Sequence, residues 1–398
     1  MREFPRGFFL VLAVSLVGTM SSGLVVPVLP RFAESELSGG DTLVGFVVAL
    51  APGFSLVGGL LAGPWVDRSG RRVIAIAGLA VAAAGALLLI PANGVVLTAL
   101  ARSVFGAGAG AAAAATITWA VDQAPPDRRG RALSVFGMTV WIGLSAGPQL
   151  GQAIFDAAGY RAVWGTVAGL EVLGLLVAVL ARENGARPAR PEPSPSSRRP
   201  RLVPVGAGRP ALLIAMAAYG EGVITAFLVL HLIERGVHAG AGFGGAASVY
   251  TIFAASVLLL RIVAGGLVDR HRPESIAAAA FAVESAGLAI LAAAGSFAAA
   301  AVGAAMMGAG FAVLFPSLAV VATAGTADEE RGAALASFGA AFGAGLTLGS
   351  LVGGAIAALG GTGAAHLSGA LAAAAAGAYL AGARSRRRGA LALAERAP

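Results

Sequence analysis

Long apolar runs, separated by short polar segments, recur along the whole chain. A bilayer core about 30 Å thick needs roughly 20 apolar residues of helix. The runs of that length predict twelve spans, numbered 1 to 12 in chain order: 7–29, 43–64, 73–91, 94–121, 132–154, 162–181, 210–233, 243–265, 275–294, 297–323, 333–359 and 363–383. The predicted fold class is therefore an all-α integral membrane protein with twelve transmembrane helices.

The composition supports this class and excludes several others. Apolar residues make up 57% of the 398 positions, whereas 12% are charged, compared with about 25% in soluble domains. Mean hydropathy is +0.82. So little charge cannot cover a soluble surface, which argues against soluble, disordered and nucleic-acid-binding classes. The absence of cysteine excludes disulfides and thiolate sites. Methionine and histidine show no metal-ligand spacing, so we expect no metal and no cofactor.

The arginines predict the orientation in the membrane. With the N-terminus inside, the inner segments carry 23 arginines, whereas the outer loops carry Arg31, Arg161 and Arg235 alone. Cytoplasmic loops are enriched in basic residues, so we expect both termini in the cytoplasm and the protein in the cell's inner membrane. This bias explains the net charge of +8 without a nucleic acid. A specific site for anionic lipids is the alternative interpretation of the arginine runs.

One segment divides the chain into two similar halves. Residues 182–209 contain seven Arg and six Pro, a composition that predicts a disordered cytoplasmic linker. The predicted domains are a six-helix bundle over 1–181, this linker, a second bundle over 210–384 and a cytoplasmic tail over 385–398. At an offset of 202, Asp-Arg pairs, Arg-Gly pairs and glycines recur in both bundles. This pattern indicates a parallel repeat about an axis along the membrane normal.

The loop between spans 2 and 3 carries the most specific motif. It reads Gly-Pro-Trp-Val-Asp-Arg-Ser-Gly-Arg-Arg over residues 63–72, and it resembles the G-x-x-x-D-R-x-G-R-R loop of the major facilitator superfamily. A partial second copy spans 265–270. The resemblance implies two six-helix bundles that rock about a central cavity. It also implies a set of gate residues: Gly63, Asp67, Arg68, Gly70, Arg71, Asp122, Gly265, Asp269 and Arg270.

The resemblance further implies how this gate works. Asp67 would face the N-terminus of span 11 and latch the cytoplasmic side while the cavity faces outward, since a carboxylate is stabilised at a helix N-terminus. Arg71 would bridge to Asp122 at the end of span 4, and Gly70 would permit the turn. The alternative is that these residues only anchor the loop on the inner side.

Span 5 contains glycines four residues apart. Gly143, Gly147, Pro148 and Gly151 resemble the motif of proton-coupled exporters. Such glycines form one smooth helix face, and the proline bends the helix. We expect this bent face at the interface between the halves, where it would favour rocking. The alternative is purely structural packing.

Five ionisable residues lie inside the spans, where charge is costly and commonly functional. They are Arg102, Glu171, Glu221, Arg261 and Glu284. Arg102 begins a segment that resembles the R-x-x-x-G-x-G motif linked to proton coupling, although snorkelling at a helix end is an alternative. Glu221 lies in the middle of span 7, one of the cavity-lining helices of the family, and is expected to carry the proton. For Glu171 and Glu284 we expect a structural partner or an interfacial position, and for Arg261 snorkelling or a place in the gate.

The remaining cavity wall is expected to be apolar. The candidates are Trp119, Met138, Trp141, Tyr219, Thr225, Met307, Phe311 and Phe315. So few polar groups favour a lipophilic or amphiphilic substrate over a sugar or a phosphate ester. The leading hypothesis is export of a drug or metabolite by proton antiport, with protons, membrane lipids and a small molecule as partners, no nucleic acid, and a monomeric state. The alternatives are uptake of a small metabolite and a non-transporting sensor on the same fold. No spacing indicates an enzyme.

Overall fold

The computed structural model describes residues 4–181, 204, 206–263, 270–324, 326 and 330–394. Within these residues the regular structure is helical. The α-helices are α1 (Arg6–Val25), α2 (Leu29–Ser35), α3 (Asp41–Ser69), α4 (Arg71–Leu89), α5 (Val95–Asp122), α6 (Arg129–Leu180), α7 (Gly208–Glu234), α8 (Ala246–Val263), α9 (Pro273–Ala293), α10 (Phe297–Ala324), α11 (Arg331–Gly360) and α12 (Thr362–Ala394). In the described part of the chain, eleven helical segments are long and apolar enough to cross a membrane.

Three predicted boundaries differ from the structure. Span 1 is two helices, because Pro27 lies in the turn between α1 and α2 and cannot donate a backbone hydrogen bond. The linker is shorter than predicted, since α7 already begins at Gly208. Most of that linker, 182–203, lies outside the described residues. The last helix continues through Ala394, so most of the predicted tail is helical.

Helix α6 contains a sharp reversal. Its 52 residues would form a rod about 78 Å long, more than twice the thickness of a bilayer core. The helix breaks at Gly159, which has φ 73° and ψ −173°, a conformation that favours glycine. After the break, the Tyr160 ring packs on Phe32, whereas the Val179 carbonyl, near the end of α6, accepts a hydrogen bond from Arg72. The second part of α6 therefore runs back along the bundle.

The two halves of the chain pack in the same way. In the first half, α1 contacts α6, and α5 contacts both α3 and α4. In the second half, α7 contacts α11, and α10 contacts both α8 and α9. The pairs α4–α6 and α9–α12 also correspond. The repetition of contacts parallels the repetition in the sequence.

Among the described residues, the halves meet mainly along two helix pairs, α3–α11 and α6–α8, with smaller contacts of α2 and α3 with α7. We call the side where α1 begins and α3 ends the N-terminal face, and the side where α3 begins and α11 ends the opposite face. Near the opposite face, a Cβ atom added at Gly45 would lie 2.9 Å from the Cα of Gly354. Further along, one added at Gly343 would lie 3.5 Å from Leu56, and one added at Gly63 would meet nothing within 4 Å. Among these positions, the closest approach of α3 to α11 is therefore the one near the opposite face.

Hydrogen bonds also join the halves at the opposite face. The side chains of Gln149 and Asp156 on α6 accept from the backbone amides of Gly242 and Ala241, at 3.0 and 2.8 Å. These two amides belong to the loop between α7 and α8. The contact of α3 with α11 and this loop together close the opposite face.

Candidate functional site

A cavity of about 300 Å³ lies between the two halves. The first half contributes residues of α1, α2, α3, α5 and α6 to its wall, and the second half contributes residues of α7, α8 and α11. Most of the lining side chains are apolar. Its ionisable or hydroxyl-bearing lining residues are Ser22, Ser55, Arg102, Glu221, Thr225, Tyr250 and Ser350.

Two of the eight predicted cavity residues line this cavity, namely Trp141 and Thr225. Trp119 instead lies in the apolar core of the first half. The hydroxyl of Tyr219 lies 2.9 Å from that of Ser368 on α12, so this ring is directed into the second half. Met138 is not part of the wall. Their positions differ from the expectation because a uniformly apolar helix does not show in its sequence which face is directed at the cavity.

The three predicted residues of α10 also belong to or pack against the apolar core of the second half. Met307 and Phe311 are almost fully buried, and neither lines the cavity. The Phe311 ring packs 5.9 Å from the Trp141 ring, and Phe315 packs 5.1 Å from Phe338. This aromatic cluster fills the space behind the cavity wall. The cavity contribution expected from α10 is instead made by α8 and α11.

Glu221 lies in the cavity wall and is 5% exposed. Its backbone carbonyl accepts a hydrogen bond of 2.8 Å from the Thr225 hydroxyl, whereas its Oε2 has no partner among the described residues. Two charged groups of the same half interact with it electrostatically, Arg261 of α8 and Glu284 of α9. The Arg261 guanidinium lies 5.4 Å from the centroid of the Trp141 ring. Glu221 therefore belongs to a cluster of three ionisable residues beside the cavity, together with Arg261 and Glu284.

Within this cluster, Arg261 is the residue whose position was not expected from the sequence. We expected it to snorkel or to join the gate, because it lies four residues before Gly265. In the structure it bridges the halves, since α8 packs against α6 and its guanidinium stacks near the Trp141 ring. The signal that could have identified it was its charge inside an apolar span.

The other two buried acids do not line the cavity. Glu171 accepts a short hydrogen bond from the Ser21 hydroxyl of α1, so it has the structural partner that we expected. Glu284 is fully buried, and neither carboxyl oxygen has a hydrogen-bond partner in the described part of the chain. A Cβ atom added at Gly220 would lie 3.4 Å from its Oε1. Glu284 therefore has neither the structural partner nor the interfacial position expected for it.

Arg102 enters the cavity wall from α5 in the first half. It is 7% exposed, so it does not snorkel to an interface. Its guanidinium lies 5.4 Å from the centroid of the Phe105 ring, and its Nε has no hydrogen-bond partner among the described residues. Its guanidinium forms no ion pair with a carboxylate of the described residues. The cavity thus has an unpaired cation in its wall.

The loop motif shows part of the predicted gate. Gly70 has φ 97°, which confirms that a glycine permits this turn. The Nε of Arg71 lies 2.8 Å from Oδ2 of Asp122, so the expected ion pair is present. Arg68 and Arg270 are exposed at the N-terminal face. The remaining gate positions, namely the Asp67 side chain, Gly265 and Asp269, lie outside the described residues.

The glycine face of α6 packs inside the first half. A Cβ atom added at Gly147 would lie 2.6 Å from the Cα of Gly23 on α1, and Gly143 and Gly151 approach the same helix. The corresponding face of α11 packs on α7, where a Cβ atom added at Gly349 would lie 3.0 Å from the Cα of Gly222. The expectation that this face lies between the halves was therefore wrong. A smooth face permits a close approach without determining which helix makes it.

Solved structures share this fold. A variant of the peptide transporter POT in complex with sulfate is 16% identical, with a TM-score of 0.80, and the match covers 96% of this chain and 95% of that chain. A variant of the nucleoside transporter NupG is 12% identical, with a TM-score of 0.77, and the match covers 95% and 99%. At such identities the likeness concerns the fold alone.

Curated relatives cover most of the chain. An Uncharacterized MFS-type transporter of Burkholderia pseudomallei (strain 1106a) is 29% identical over 340 residues, which are 82% of this chain and 80% of the relative. The Uncharacterized MFS-type transporter YhhS of Escherichia coli (strain K12) is 25% identical over 332 residues, or 80% and 78%. The family model of the Major Facilitator Superfamily matches residues 11–229 and again residues 210–397. The chain is therefore a multi-pass membrane transporter that belongs to the Major Facilitator Superfamily.

Proposed function

We propose that this chain is a secondary active transporter that exports a lipophilic or amphiphilic small molecule in exchange for protons. It works by alternating access, with residues 1–181 and 210–384 as the two rocking halves. The two parts of α6 cross the membrane separately, so the chain has twelve spans. Both termini lie in the cytoplasm of the cell, and the protein acts as a monomer in the inner membrane.

The position of Glu221 is the observation that supports proton coupling. The carboxyl is 5% exposed, lies in the wall of the cavity between the halves and has a free oxygen. A charged carboxylate at membrane depth is costly unless water or a cation accompanies it. A proton is the smallest group that removes this cost. Glu221 therefore binds a proton while the cavity is closed and releases it when water enters.

The shape of the interface supports alternating access. The contact of α3 with α11 is tight at Gly45, whereas a Cβ atom added at Gly63 meets nothing within 4 Å, which supports a conformation that is closed at the opposite face. With the termini in the cytoplasm, this is the conformation that faces inward. In the opposite conformation Asp67 and its loop contact α11 and latch the cytoplasmic face, as the family motif implies.

Transport in inverted vesicles with an acidic interior tests the coupling. Wild-type protein should release protons when substrate is added and should accumulate substrate against its gradient. Glu221→Gln mimics the protonated state permanently, so it should abolish accumulation while preserving downhill exchange of substrate. The matched control is Glu36→Gln, which neutralises an exposed acid of the opposite face and should leave both activities unchanged. Undiminished accumulation by Glu221→Gln would reject Glu221 as the proton carrier.

A further inference from the structure

The binding and release of a proton at Glu221 give no partner to the unpaired arginine in the cavity wall. Arg102 is 7% exposed, its guanidinium makes no ion pair among the described residues, and it lines the space between the halves. We propose that Arg102 is the binding site for a negatively charged group of the substrate, and that the substrate is an organic anion with an apolar body. The assignment of this ligand as a transport substrate rests on the proposed function, whereas the binding site itself does not.

A purely structural role would leave the guanidinium of Arg102 without a hydrogen-bond acceptor. Arginine stays protonated in proteins, and a buried charge needs a partner to offset the loss of water. The Phe105 ring, 5.4 Å from the guanidinium, supplies a cation–π contact but no hydrogen-bond acceptor. Snorkelling is excluded, because the side chain is buried in the cavity wall instead of reaching solvent. An anion that enters the cavity from outside the protein would supply the missing acceptor.

The surroundings of Arg102 define the class of anion. One guanidinium pairs with a carboxylate or a sulfonate through two parallel hydrogen bonds. Apolar side chains form most of the remaining wall, including Val26, Val48, Trp141 and Phe342, and they suit an aromatic or aliphatic body. Glu221 lies in the wall of the same cavity, on the second half, and would repel a second negative group when it is charged. The ligand is therefore a monoanion. It is also small, because a cavity of about 300 Å³ is at the small end of ligand sites.

Binding at equilibrium tests this site without any proton gradient. Calorimetry on the full chain in lipid nanodiscs would compare 4-butylbenzoate, 4-butylbenzamide and 4-butylbenzylammonium, which share a body and differ in charge. Wild-type protein should bind the carboxylate at least tenfold more tightly than the amide, and the ammonium most weakly. Arg102→Gln should weaken the carboxylate roughly tenfold to a hundredfold and leave the amide unchanged. The control Arg161→Gln removes an exposed arginine and should change neither affinity.

A second measurement separates binding from folding. In the empty protein, Arg102→Met should unfold at a temperature equal to or above that of the wild type, because it removes a buried unpaired charge and loses only the cation–π contact with Phe105. A clear fall in that temperature would indicate a structural arginine and would reject the proposal. The proposal would also be wrong if, in a series with shorter and longer tails, no carboxylate bound better than its amide. Binding of chloride alone with the same dependence on Arg102 would contradict it as well. Failure of proton coupling at Glu221 would change none of these results.

Discussion

The contact between Gly45 and Gly354 predicts how the equilibrium between the two conformations can be shifted. A methyl group at Gly45 would lie 2.9 Å from the Cα of Gly354 and would also meet the carbonyl oxygen of Ser350. Ordinary contacts of a Cβ atom begin at 3.4 Å, so α3 and α11 must separate at the opposite face in Gly45→Ala. Overpacking of a close contact costs about 1–3 kcal/mol. This cost applies only where the helices touch, so it disfavours the present conformation by about 5- to 150-fold.

The absence of cysteine allows a direct measurement of this shift. Cysteines introduced at Glu36, beyond α2, and at Leu359, near the end of α11, would be exposed on the two halves at the opposite face. Spin labels at these positions report the distance across that face by pulsed electron resonance. In Gly45→Ala the population with the longer distance should be larger than in the labelled protein that keeps Gly45.

The control is a glycine whose added methyl group meets nothing. Gly165 on α6 has no atom within 4 Å of an added Cβ, so Gly165→Ala should leave the distance distribution unchanged. If Gly45→Ala folds normally and its distribution matches that of the control, then the glycine contact does not hold the opposite face closed. If both variants shift equally, the effect comes from helix propensity and not from the contact.

Three further predictions address the gate, the linker and the glycine face. Asp67→Asn should strongly reduce transport while expression stays normal, and a wild-type transport rate in this variant would contradict a gate role for Asp67. Protease should cleave residues 182–203 in inverted vesicles, and cleavage in intact cells from the periplasm would contradict the topology. Gly147→Ala should lower the unfolding temperature by displacing the Gly23 backbone from α6, whereas Gly165→Ala should not. An unchanged unfolding temperature for Gly147→Ala would show that this close approach can relax without cost.

The apolar spans and the turn at Gly70 could be predicted from the sequence because they depend on local physics. A helix that crosses a bilayer needs a fixed length of apolar residues, and a positive φ favours glycine. Charge inside a span was similarly informative. Arg102 and Glu221 both line the cavity, because an ionisable group at membrane depth rarely faces lipid.

What the sequence could not determine is which helix lies against which face. The glycines of α6 predicted a close approach, but only the tertiary structure shows that Gly147 meets Gly23 of the same half. Met307 and Phe311 looked like cavity residues, yet they fill the core behind Trp141. An apolar face of a helix has a similar free energy whether it contacts lipid or protein, so hydrophobicity alone does not select the face that is buried. The choice among these faces is therefore made by packing against distant helices, and it brings Arg102 of one half and Glu221 of the other to the same cavity.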